Sequence, residues 1–181
     1  VGTGLMRYRK AALLVGLLAF LGATLQGAAP ISTIGKGLIA PTDITLGATI
    51  AALFGAAICI IILTLFSLPI STTQAVIGSI AGIGIVVATP INWHVFTRIF
   101  LWQFGSFAIS LVTSFLIYKF ILGLFSRGKF IYIERRIYIL VILSAAFLAY
   151  SLGANNIGNA MGLVVGNNLM RPALAGFMGG I

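Results

Sequence analysis

Charge is what this chain has least of. Only 7% of its 181 residues are Asp, Glu, Lys or Arg and 60% are hydrophobic, whereas soluble globular domains carry roughly 25% charged residues. That balance excludes a water-soluble domain and marks an integral, multi-pass membrane protein with the lipid bilayer as its surroundings. Acids are far scarcer than bases. Asp43 and Glu134 are the two present, and both fall on polar connections between apolar runs. Histidine and cysteine occur once each, as His94 and Cys59. Cys59 lies in an apolar run with no partner for a disulfide, so it reads as a small packed or lipid-facing side chain. No nucleophile and base can be paired from this set, which argues against an enzyme, and these residues imply no cofactor or metal site. The 11 basic residues would suggest nucleic acid in a soluble chain. Here they flank apolar runs, the pattern that orients helices in a membrane.

What the chain does have is long apolar runs. Spans are expected over 11–29, 46–68, 71–89 and 99–125, with a fifth crossing from 137 to 152; a crossing helix needs about 20 apolar residues. Arg7, Arg9 and Lys10 before the first run, and Arg127, Lys129, Arg135 and Arg136 in the connection near 126–136, place those ends in the cytoplasm. Trp93, His94 and Trp102 suit the outer interface, with Arg98 as an anchor, and Lys119 can snorkel to the headgroups. Residues 30–45 read as a polar outer connection in which Lys36, between Gly35 and Gly37, could attract an anion. Gly78 and Gly82 have the spacing that lets helices pack closely.

The organising stretch is 151–171, SLGANNIGNAMGLVVGNNLMR. So much Gly and Asn directly after an apolar run predicts an unwound segment at membrane depth. Non-helical backbone there must line a cavity or be covered by protein, as in the broken helices where transporters hold solutes. Residues 165–171 also match the opening 1–7, with Val, Gly, Leu, Met and Arg identical. The expectation is a piece of a two-repeat protein. Residues 1–136 would finish the first repeat and 137–181 would begin the second. An odd number of crossings between the motif copies makes the repeats inverted in topology. The fold class expected is therefore an all-α polytopic helical bundle, part of an inverted-repeat secondary transporter with broken helices.

Two polar clusters fall at predicted helix breaks. Ser71, Thr72, Thr73 and Gln74 follow Pro69, which cannot donate a backbone hydrogen bond and disfavours helix just before it. Ser and Thr are favoured N-caps, and the free N–H groups of a first helical turn attract anions. Asn155, Asn156 and Asn159 form the second cluster. Amides and hydroxyls can replace an ion's hydration shell without fixed charge. They can also simply join helices; two such clusters together favour a binding site.

The same residues carry a resemblance. Gly153-Ala154-Asn155-Asn156-Ile157-Gly158-Asn159-Ala160-Met161-Gly162 resembles GANDxxNAxG, the repeated signature of the inorganic phosphate transporter (PiT) family. Pro69-Ile70-Ser71-Thr72-Thr73-Gln74-Ala75 resembles that family's PxSTTHA segment, and Thr33-Ile34-Gly35-Lys36-Gly37 is similar to a stretch after its first motif. The resemblance implies secondary transport of inorganic phosphate across the cell membrane, coupled to sodium or protons, through two inverted repeats around a central site. It places Ser71, Thr72, Thr73, Gln74, Asn155, Asn156 and Asn159 on substrate positions, the three Asn also serving the coupling ion. Asn156 stands where the family has Asp, and Gln74 where it has His. Both departures remove a titratable group. That weakens sodium coupling and leaves room for another oxyanion such as sulfate, or for a non-transporting membrane subunit. A homo-oligomer is left open.

Overall fold

The computed structural model describes residues 6–39, 45–125 and 133–180. Asp43, Arg127, Lys129 and the first five residues of the 1–7 match lie outside them, and Glu134, Arg135 and Arg136 are described by their backbone alone. Every regular element among the described residues is helical: α1 (Tyr8–Gln26), α2 (Ala28–Gly37), α3 (Leu46–Leu65), α4 (Thr72–Val86), α5 (Trp93–Phe125), α6 (Ile133–Gly166) and α7 (Pro172–Met178). Four of them, α1, α3, α5 and α6, are long and apolar enough to cross a membrane. Their many exposed Leu, Ile and Phe side chains suit a hydrocarbon surround rather than water.

Residues 30–45 do not begin as the polar connection expected of them. Helix α1 is interrupted at Gly27 and α2 follows at once. Pro30 explains the interruption, because it cannot donate to the carbonyl of Gln26 and its ring crowds that turn. Ile31, Ile34 and Leu38 recur at helical spacing and are buried, giving α2 one apolar face. The hydroxyls that looked like loop chemistry turn back on their own helix, Ser32 Oγ donating to Ala28 O (2.7 Å) and Thr33 Oγ1 to Ala29 O (3.0 Å). Their polarity is satisfied locally, so it does not mark a break.

The Gly/Asn stretch is likewise helical. No unwinding occurs between Gly153 and Gly166, all of which lies within α6. The expectation failed because it counted backbone propensity alone. A helical Gly costs about 1 kcal/mol relative to Ala, but here glycines let two helices touch. Gly153 lies against the Ala19 backbone and Gly166 against Gly35, while a Cβ on Gly158 would lie 2.9 Å from Pro30. The contacts advance together along both chains, so α1–α2 and α6 run parallel in a glycine-lined seam. The chain breaks later, at Asn168, whose φ is 56°; Pro172 then opens α7.

Helices α3 and α4 form an antiparallel pair. Thr45 caps α3 by accepting from Ala48 N (3.3 Å), and Pro69 enforces the separation from α4. Where a span over 71–89 was expected, α4 runs for 15 residues. That is roughly 22 Å, short of the roughly 30 Å of a hydrocarbon core. The main core joins α2, α3 and α4 through Ile34, Leu38, Ala52, Ala56, Val76 and Ile80, with Leu163 of α6 completing it. Asn167 at the end of α6 donates to Thr49 Oγ1 of α3 (2.6 Å) and to Leu163 O (3.0 Å). Apart from its first turns, α5 stands largely exposed.

Candidate oxyanion site

The first turn of α4 is built by Ser71. Its extended backbone (φ −88°, ψ 119°) leads into the helix, and its hydroxyl accepts the backbone N–H of Gln74 (3.5 Å). A side chain that caps the helix in this way leaves the N–H groups of Thr72 and Thr73 as free first-turn donors. The helix dipole adds partial positive charge at the same end.

Asn159 of α6 meets this turn. Its Nδ2 donates to Thr72 Oγ1 (3.3 Å) and Thr73 Oγ1 (3.0 Å), so each amide hydrogen occupies a lone pair on one hydroxyl. Gln103 of α5 does the same to Ser71, Nε2 donating to Ser71 Oγ at 3.3 Å. Among the described residues none of these three hydroxyls donates its own proton. The turn therefore presents O–H and N–H donors with no fixed charge and no titratable side chain among Ser71, Thr72, Thr73, Gln74, Gln103 and Asn159. The other end of the Asn159 amide is the exception. Oδ1 is buried and has no partner among the described residues, a state that costs about 1–3 kcal/mol unless a donor or cation fills it.

The expected amide cluster does not gather at one point. Asn155 and Asn156 are exposed, whereas Asn159 is buried. Asn156 instead lines an open cavity of about 320 Å³ with Ala19, Ala23, Gly153, Ala160, Gly179 and Gly180. Gln74 is also exposed and lines a second cavity of about 200 Å³ with Ile77, Phe96, Phe100 and Gln103. Lys36 is exposed on the last turn of α2. Gln103 was missed from the sequence. The signal for it was an amide inside an otherwise apolar run.

A family model described as the phosphate transporter family matches residues 1–136. The chain belongs to the phosphate transporter family. Its relatives include a Pyrococcus furiosus protein named "Putative phosphate permease", 36% identical over 126 residues, covering 66% of this chain and 31% of the relative. A Xenopus tropicalis protein named sodium-dependent phosphate transporter 1 is 31% identical over 67% of this chain and 19% of its own length. A sulfate permease of Bacillus subtilis is 25% identical over 99% of this chain and 51% of its own. The chain thus spans about a third of the archaeal phosphate transporter family relative and about half of the sulfate permease. No solved structure matches the chain.

Proposed function

We propose that this member of the phosphate transporter family forms part of a secondary carrier that moves inorganic phosphate across the cell membrane, coupled to sodium or protons. The observation that carries the reading is the Asn159 amide spanning Thr72 and Thr73 at the start of a helix too short to cross the bilayer. Phosphate oxygens would accept from the Ser71, Thr72 and Thr73 hydroxyls and from the first-turn N–H groups. The orphan Asn159 Oδ1 suits either the P–O–H proton of hydrogen phosphate or a sodium ion, both of which need an acceptor. Asn155 and Asn156 would then serve the coupling ion, Asn156 from the cavity it lines. Alternating access would follow from two inverted repeats rocking about this turn.

Sulfate is the second reading. It is favoured by the sulfate permease that aligns over 99% of this chain and by the uncharged donors around the site. Sulfate carries no proton at neutral pH, so Oδ1 would then face a cation alone. Uptake of radiolabelled phosphate and sulfate by the full-length protein in proteoliposomes tests the pair, with sodium and proton gradients imposed separately. Saturable phosphate uptake that excess sulfate does not suppress supports the first reading. Uptake of sulfate alone would replace it with the second, and no saturable uptake of either would remove the carrier assignment.

A further inference from the structure

Gln103 holds an unusual place in α5. The helix around it is apolar and mostly exposed, yet Gln103 is half-buried in a small cavity walled by Ile77, Ile99, Phe96 and Phe100. Its side-chain amide donates from Nε2 to Ser71 Oγ at 3.3 Å. A serine hydroxyl has two lone pairs and one proton. Gln74 N–H takes one lone pair and Gln103 takes the other. The proton is then the only valence Ser71 can offer.

We infer that Gln103 is a positioning residue that turns Ser71 into an obligate hydrogen-bond donor for an oxyanion. The inference rests on the oxyanion site proposed at the start of α4 and adds a selectivity device to it. With both lone pairs filled, Ser71 can serve a deprotonated oxygen and cannot accept from a protonated one. A bound anion that carries a proton must direct it elsewhere, and Asn159 Oδ1 is the buried acceptor without a partner. Gln103 thereby fixes the orientation of a hydrogen phosphate without touching it.

The test uses the full-length protein in proteoliposomes and reads KM and maximal rate for phosphate uptake. Gln103→Met keeps the length and suits the apolar walls but removes the N–H. It should raise KM about fivefold with the maximal rate unchanged, the size expected for one neutral hydrogen bond. Gln103→Glu can only accept from Ser71 and should draw the proton away from the anion, raising KM about tenfold or more. In a Ser71→Ala background Gln103→Met should change KM by less than about twofold, because the effect passes through that hydroxyl. A wild-type KM for Gln103→Met or Gln103→Glu overturns the inference, as does an equal penalty with and without the Ser71 hydroxyl. If Ser71→Ala alone leaves KM unchanged while Thr73→Val raises it, Gln103 loses this role and the oxyanion site stands. If neither changes KM, the site itself is wrong.

Discussion

The side-chain amide of Asn159 lies 3.0 Å from the hydroxyl of Thr73, a residue 86 positions earlier in the chain. The contact joins α6 to the start of α4 by groups that carry no charge. It explains how a hydroxyl-capped helix end can be held open and donor-rich, since the amide consumes threonine lone pairs and leaves the threonine protons free.

Removing those protons should weaken oxyanion binding more than it weakens the fold. Thr72→Val and Thr73→Val each delete a donor to a charged ligand, worth about 1.5–3 kcal/mol, or roughly tenfold to a hundredfold in affinity. Saturable phosphate uptake measured against concentration should show this as a raised KM. Ser71 continues to cap the helix in both variants, but each leaves one N–H of the buried Asn159 amide without its hydroxyl acceptor, so thermal unfolding in detergent should show a loss of about 1 kcal/mol, smaller than the loss in binding.

Asn156 lines a cavity bounded by α1 and the residues after α7, whereas Asn159 bonds to Thr72 and Thr73, and the two should separate in function. Asn156→Asp should steepen the dependence of uptake on external sodium, because a carboxylate strengthens a cation site. Its effect on the KM for phosphate should be smaller than that of Thr73→Val. An unchanged sodium dependence would detach Asn156 from ion coupling.

The glycine seam predicts a stability effect remote from the site. A Cβ at Gly166 would run into the backbone of Gly35, and neither helix can yield without shifting the other. Gly166→Ala should cost about 1–3 kcal/mol, seen as a lower unfolding temperature of the full-length protein in detergent. Gly82→Ala, where a Cβ meets open space, is the control and should be neutral or slightly stabilising.

How far the sequence spoke for the fold can be judged residue by residue. Ser71 was readable as a cap because capping is local chemistry, set by a hydroxyl, a preceding proline and a following apolar run. The long apolar runs were readable because hydropathy needs no partner. The helix through 153–166 was not, since whether a glycine unwinds or packs depends on what approaches it, and Pro30, Ile34 and Gly35 arrive from far upstream. The same holds for α2. Ser32 and Thr33 suggested a loop until their protons were seen to close on Ala28 and Ala29. At the turn itself, the meeting of the hydroxyls with Asn159 was within reach of sequence reasoning, but the parting of Asn156 from Asn159 was not. Neighbouring residues on one helix can meet different surroundings, and which one each meets is decided by the helices around them. Gln103 escaped because one amide in an apolar helix announces no partner.

Asn159→Leu tests the central claim most directly. Leucine fills about the same space, removes both donated hydrogen bonds and deletes the orphan carbonyl. Radiolabelled phosphate uptake by the reconstituted full-length protein should fall at least tenfold at low substrate, while membrane insertion and folding persist. Uptake with the wild-type KM and maximal rate would contradict the account.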